Sequence, residues 1–499
     1  MASPARPSDP ATTTYIVVTG ANSGLGFAIC CRLIDEFLPT RPSTHTLHLI
    51  PTTRGQSKAD DTELRLRKHV AKYARNESSG SPRVALDILE REIGKRIVVT
   101  PELVDLNSIL SVQRAGKRIK SIYERIDVLV CNAGIGGWLG VDFWGAAKQF
   151  FTEGLNFLME PKYKIGAVGW VTKKQIPSLA EGGKEEEEPK LAEVFCANLF
   201  GHYLLSHYLM PVLSKARGEE SGRVIWVSTL EAYKRTFSME DFQGLGTNIA
   251  YESSKRLTDL LVLSADLPST SPYTKPFFST SSKPPSPGLS ASWEDLTPRK
   301  ASLRSSSRTR TATPPPSQLQ RSQSSQSEVG MVRPKMYLSH PGMCVTGIMP
   351  IHWILIYLWT GVFYISRFCG NPWHTTTAYP AATSMTWLAL ADQDTLNEIE
   401  ASPDTTADKE TGVGQSKKIS TEGKTRRAVK WGSAVNWIGN ERVKKTEVEG
   451  WCDGNGVAIR DEEEKSDFEE NARECWKRME DLRIQWEERL KKAGYDELT

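Results

Sequence analysis

No CxxC pair and no Cys/His array at zinc spacing occurs among the eight cysteines, Cys30, Cys31, Cys131, Cys196, Cys344, Cys369, Cys452 and Cys475. Neither a disulfide framework nor a metal site is therefore indicated, and thiols facing a reducing compartment are the simpler reading. Neither charge is in excess: 63 basic residues against 60 acidic ones leave +3. That balance argues against a nucleic-acid partner. Internal repeats are lacking. The opening MASPARPSDPATTT has no apolar core, so no cleavable signal peptide is expected. Long apolar runs are scarce too. One stands out, 348–368 (IMPIHWILIYLWTGVFYISRF), which carries His352, Thr360, Gly361, Ser366 and Arg367. It sits at the limit for a membrane-spanning helix of about 20 residues. What is present, 39% apolar and 25% charged residues over 499 positions, is the composition of a folded chain.

Strand-like and helix-like segments alternate. TTYIVVTG runs into GANSGLG and then FAICCRLIDEFL, with Ile29, Leu33 and Phe37 at helical spacing. TLHLIPT, IVVTPELVDL, IDVLVCNAG, GRVIWVST and YLSHPG read as further strands. Helical stretches lie at 108–125, 191–215 and 250–267. This alternation predicts an α/β fold, a doubly wound parallel sheet of the Rossmann kind with helices on both faces. The expected organisation is a disordered N-terminus at 1–12, one dinucleotide-binding domain at 13–400, a linker at 401–430 and a helical C-terminal extension at 431–499. Two insertions interrupt the domain. Residues 136–190 end in the acidic EGGKEEEEP and look like a solvated loop. Residues 268–330 are saturated with Ser, Thr, Pro and Arg, bury too little apolar surface to offset ordering entropy, and are expected to be disordered. This second insertion reads either as a harmless loop or as the mark of a mis-spliced gene.

Two motifs carry chemistry. The first is the turn TGANSGLG between a strand and a helix, with Gly20, Asn22, Gly24, Leu25 and Gly26. Glycines let the backbone approach a pyrophosphate, and the helix N-terminus supplies free N–H groups. After the second strand an acid would accept a bond from a ribose 2′-hydroxyl. This chain has TTRGQSK instead, and Arg54 and Lys58 favour the 2′-phosphate of NADPH or NADP+. The other reading of these two is a solvated charge cluster. The second motif is YESSK, which sets Tyr251 and Lys255 four apart on one helical face. A nearby ammonium stabilises a phenolate and lowers the phenol pKa from about 10, making it a usable acid–base group. Ser228 and Thr229 end one strand and Asn132 another, at the carboxyl edge where open parallel sheets bind ligands. Asn198 lies within a helix.

In this order TGANSGLG, Asp105, NAG, Asn198, Ser228, YESSK and PG followed by Thr346 resemble the short-chain dehydrogenase/reductase family over about 13–267 and 335–347. Within it, VFCANLFGHYLL, RVIWVST, FSMEDFQ ahead of YESSKRLTDLL, and TTRGQSKAD resemble the 3-keto-sterol reductases of sterol C-4 demethylation. The resemblance implies an NADPH-dependent reductase of a sterol C3 ketone. Tyr251 would be the proton donor, Lys255 would hold the nicotinamide ribose, Ser228 would bond the substrate oxygen and Asn198 would support a water relay. Asp105 would lie near the adenine, Asn132 along the cofactor, and Val345 and Thr346 near the carboxamide. Family members often carry Ser-Ser where this chain has Ser228-Thr229. Ser228 is favoured as the acting hydroxyl, with Thr229 the alternative.

A sterol substrate implies a membrane surface, at the cytosolic face of the endoplasmic reticulum or a lipid droplet, with other enzymes of sterol C-4 demethylation as partners. The 348–368 run, with Trp353, Tyr357, Trp359 and Tyr364, then reads as a pocket lid entering one leaflet, against a buried core helix or a full span. Other lipophilic ketones (a 17-ketosteroid, retinal, a polyketide), or a scaffold role in a sterol-synthesising complex, stand as alternatives.

Overall fold

A computed structural model describes residues 12–77, 83–176, 188–215, 220–280, 332–345, 348, 353–401, 406–407 and 427–495. The expectations for 1–11, for most of 268–330 and 401–430, and for Thr346 fall outside these residues.

The first two strands, β1 (Thr13–Val18) and β2 (Thr46–Thr53), are almost wholly buried on both faces. Such strands read as continuous β-branched and aliphatic runs rather than as alternation, which is the mark of a parallel sheet covered on both sides. The remaining strands are β3 (Ile97–Val99), β4 (Glu102–Leu103), β5 (Val128–Cys131), β6 (Trp138–Val141), β7 (Lys164–Gly166), β8 (Arg223–Val227), β9 (Lys335–His340), β10 (Thr406–Ala407), β11 (Lys430–Val435) and β12 (Glu441–Thr446). Among the described residues the main sheet has ten strands, in the order β10-β12-β11-β9-β8-β5-β1-β2-β3, with β4 beside β2. Pairing is parallel from β3 through to β11. The expected doubly wound parallel sheet is present.

The expected boundary near 400 is not. β11 pairs in parallel with β9, Lys430 opposite Leu338, and β12 returns antiparallel to it. β11 and β12 therefore complete the sheet, and the expected helical extension follows them as the helix Glu462–Lys492. The strand escaped notice because polar sequence separates it from the regular alternation.

The helix Glu462–Lys492 that ends the described chain is capped by Asp461, whose side chain accepts from the amides of Glu463 (3.0 Å) and Glu464 (3.3 Å). Acids fill its first turn and bases its last, as the helix dipole favours. Its stripe of Phe468, Ala472, Cys475, Trp476, Met479, Trp486 and Leu490 is buried in the same core as the helix Ala250–Leu263. The Trp476 indole donates to Leu261 O at 3.1 Å.

The 136–190 insertion, expected to be a solvated loop, is folded through most of its length. β6 and β7 form an antiparallel hairpin around the helix Phe143–Glu153, and only the acidic 177–187 lies outside the described residues. Phe157, Leu158 and Tyr163 of this cap share a small apolar core with Phe363 of the helix Trp353–Phe368. Cap and helix together roof the carboxyl edge of the sheet.

Candidate active site

The glycine-rich turn leaves β1 and enters the helix Gly24–Thr40. Gly20 has φ +64°, and a Cβ there would stand 2.9 Å from Ala133. A Cβ at Gly26 would meet Gly20 O at 2.4 Å and Asn132 Nδ2 at 2.6 Å. No larger residue keeps the turn this close to its neighbour strand. Ser23, at the helix N-cap, caps no amide with its side chain. The first-turn N–H groups at Gly24, Leu25 and Gly26 are thus left for an anion.

A network without a sequence signature fixes this turn. The Thr19 hydroxyl accepts from the amides of Asn132 (2.8 Å) and Ala133 (3.0 Å), and Asn132 Nδ2 donates to Thr19 O at 2.9 Å. His202 Nε2 lies 2.8 Å from the same hydroxyl, while its Nδ1 is 3.3 Å from Asn198 O. The tautomer with its proton on Nδ1 satisfies both contacts. Burial first, and then the Lys255 ammonium, lowers the imidazole to about 3, so it is neutral. The Asn198 carbonyl is available because Cys196–Phe200 is a π-helical bulge, a feature common at functional sites.

A cavity of about 490 Å³ collects Gly20, Asn22, Gly24, Leu25, Gly26, Arg54, Lys58, Asp105, Asn132, Ser228, Tyr251, Lys255 and Val345. The structure thus brings together every described catalytic or cofactor-binding candidate read from the sequence except Asn198. The Asn198 amide instead accepts from Ile135 N (2.8 Å) and donates to Ile135 O (3.1 Å) and to Ser254 Oγ (3.1 Å). It holds the backbone beside the cavity and does not line it. Among the described residues, no carboxylate pairs with Arg54 or Lys58.

The structure bears on two expectations about the reacting groups. The hydroxyl whose hydrogen bonding holds the Tyr251 phenol pKa down is that of Thr229. Ser228 is only 2% exposed and donates to Asp259 Oδ1 at 2.5 Å. Lys430 of β11 closes that network, reaching Asp259 Oδ2 and Thr229 O at 2.6 Å each. Adjacent residues at a strand end point to opposite faces, so only one of the pair can meet the phenol. The phenol is also not acidified. Burial, then the carboxylates of Glu231 and Glu252, push its pKa well above 10, against the Thr229 hydrogen bond that lowers it. The Lys255 ammonium lies 5.7 Å from the Tyr251 ring centroid and donates to Val227 O at 2.7 Å. Burial draws its own pKa down to about 8, against the pull of Asp259. At neutral pH the phenol is protonated and the amine is mostly an ammonium.

Sequence reasoning also missed the cap. Trp138 lies 5.0 Å from the Tyr251 ring, centroid to centroid. Lys164 of β7 reaches down to bond both Glu231 and Glu252, and all three side chains are nearly buried. Nothing local in the sequence marks residues nearly 90 positions apart as partners. Beyond them Tyr163, Met343, Trp359 and Phe363 give the cavity an apolar mouth.

A parallel sheet of this order, with a glycine turn at one end of the cavity and a Tyr/Lys pair at the other, is the arrangement of a short-chain dehydrogenase/reductase. No family model matches the chain. It is 37% identical to the 3-keto-steroid reductase of Aspergillus fumigatus over 97% of both chains. Its identity to that of Gibberella zeae is 32%, over 95% of this chain and 94% of the other. A metagenomic short-chain oxidoreductase in complex with NADP overlaps 51% of this chain and 76% of its own at 17% identity, with a TM-score of 0.28. That overlap is too loose to add to the topology described above. The chain belongs to the family of the 3-keto-steroid reductases.

Proposed function

We propose that this oxidoreductase uses NADPH to reduce the C3 ketone of a 4-methyl-sterol intermediate to the 3β-hydroxyl. One observation carries the reading: a single cavity joins the glycine turn and the Arg54/Lys58 pair to the Tyr251 phenol and then to an aromatic mouth. The names of both fungal relatives support the substrate class.

The close approach at Gly20 and Gly26 and the uncapped helix end suit a pyrophosphate. Arg54 and Lys58 would take the 2′-phosphate, Asp105 the adenine side, and Asn132 and Val345 the remainder. When bound, the cofactor supplies the hydride. The chain's own part is to handle a proton. The protonated Tyr251 phenol donates to the carbonyl oxygen, the Thr229 hydroxyl bonds to it, and the Lys255 ammonium compensates the phenolate left behind. The apolar mouth keeps water from that charge. Purified protein offered NADPH and NADH with a panel of sterol and non-sterol ketones tests this. A 3β-alcohol formed with NADPH from a 4-methyl-3-keto sterol, faster than from other ketones, is the expected product. Equal rates across the panel would sink the substrate assignment.

The roof is proposed to rest on a membrane surface, at the cytosolic face of the endoplasmic reticulum or a lipid droplet, where other sterol-modifying enzymes would be neighbours. Trp144 and Phe151 of the cap are 88% and 84% exposed, and Tyr357, Leu358, Ile365 and Phe368 of the roof helix are exposed as well. Among the described residues no helix is long and apolar enough to cross a bilayer. Contact with one leaflet, by aromatic residues on both roof elements, fits these features.

A further inference from the structure

The cap does more than cover the pocket, because one of its side chains ends inside the catalytic charge network. β7 is pressed against the segment leading into the Ala250–Leu263 helix. A Cβ at Gly166 would overlap Asn248 O, at 1.7 Å, and the Gly169 amide donates to Leu245 O at 2.9 Å. From that strand Lys164 descends between Glu231, which follows β8, and Glu252, which adjoins Tyr251. Its ammonium is 4.8 Å from the Trp138 ring centroid and 5.9 Å from that of Tyr251. Two carboxylates thus share one cation, and Glu252 Oε2 is buried with no hydrogen-bond partner among the described residues. Burial and Glu252 together lift the Glu231 carboxyl, against Lys164.

We propose that Lys164 is a positioning residue for the reaction. Carried in by the cap, its ammonium neutralises the Glu231–Glu252 pair beside Tyr251 and keeps the phenol able to give up its proton while the roof is closed. This rests on the reductase reading above. The charged and titratable groups facing the phenol are Glu252 and Lys255 from its own helix, Glu231 after β8, Cys344 after β9 and Lys164 from β7. Of these only Lys164 comes from the cap. With that cation gone, the carboxylates act on the phenol uncompensated, and ionisation becomes harder. An ionic neighbour at this range moves a pKa by about one unit or more.

The test is alcohol oxidation by NADP+, in which the phenolate is the base and the rate rises with pH. Lys164→Met should move the midpoint of that limb upward by about one unit. It should also lower the turnover number about tenfold while leaving the KM for NADP+ within twofold, and speed hydrogen exchange of the amides at 164–169. Lys164→Arg should restore the limb. Because Lys164→Met leaves two unpaired carboxylates and can fail to fold, Glu252→Gln is the second variant; it removes one negative charge and should move the limb downward. An active wild type whose limb stays put in both Lys164→Met and Glu252→Gln, or in Glu252→Gln alone if Lys164→Met does not fold, overturns the proposal and leaves the reductase reading intact. A wild type that turns over no ketone or alcohol overturns both.

Discussion

Replacing Thr229 and Ser228 one at a time separates two hydroxyls that are adjacent in sequence and opposite in role. Thr229→Val keeps the side-chain volume and removes the hydroxyl whose hydrogen bonding holds the Tyr251 phenol pKa down. A donor lost from the oxygen that accumulates charge costs a factor of about 10²–10³ in turnover, or about 3–4 kcal/mol of barrier. The fold should hardly notice, because the Thr229 backbone stays tied to Lys430. Ser228→Ala has the reverse signature. It deletes a buried hydrogen bond to the Asp259 carboxyl at 2.5 Å, worth about 1.5–3 kcal/mol of stability. Asp259 keeps Lys430 as its partner, so the site should still work within a few-fold. NADPH consumption at 340 nm on the best ketone, together with urea unfolding of each variant, gives both quantities. If Ser228→Ala abolishes turnover while Thr229→Val retains it, the assignment of the acting hydroxyl made from this geometry is wrong.

Three further outcomes follow from the same structure. Arg54→Ala and Lys58→Ala should each raise the KM for NADPH about 10-fold or more and leave that for NADH unchanged, since each removes a charge-assisted contact worth about 1.5–3 kcal/mol; equal losses with both coenzymes would place the two cations elsewhere. Lys430→Met removes the cation paired with the buried Asp259, and should cost about 3–5 kcal/mol in urea unfolding; a change under 1 kcal/mol would mean that water reaches the pair. Acid should destabilise the fold through its neutral buried histidines. Burial holds His48, His207 and His374 at about 4 and His202 at about 3, against 6.5 when unfolded. Each binds a proton only on unfolding as the pH falls below 6.5, so stability should drop by up to about 1.4 kcal/mol per pH unit for each. His69, raised to about 10 mainly by its hydrogen bond to Asp35, has the opposite sign. Its contribution is complete below pH 6.5 and lost toward pH 10, so it cannot mask the acid limb. A flat urea midpoint between pH 6.5 and 4.5 would contradict this.

The parallel sheet and one half of the site were legible because their signals are local. A β-branched strand running into TGANSGLG declares both the turn and its ligand class. Arg54 and Lys58 follow a strand that can be counted, and Tyr251 and Lys255 are four apart on one helix. What stayed hidden depends on contacts across the chain. β11 joins the sheet through pairing with β9, about 90 residues earlier, across a long polar interruption. The choice of Thr229 over Ser228 turns on which face of a strand end meets the catalytic helix. Lys164, Glu231 and Glu252 are unremarkable charges until the cap folds over. The phenol's raised pKa has the same origin: YESSK places an ammonium nearby, but the depth of burial and the two carboxylates belong to tertiary structure.

The most direct measurement is NADPH oxidation on the 4-methyl-3-keto sterol by wild type and Tyr251→Phe, with the coenzyme dissociation constant determined for both. Loss of at least about 10²–10⁴ in turnover, at matched coenzyme affinity, is the result expected if the phenol supplies the proton. A Phe variant that turns over at the wild-type rate would show that the proton comes from another group and that the site has been misread.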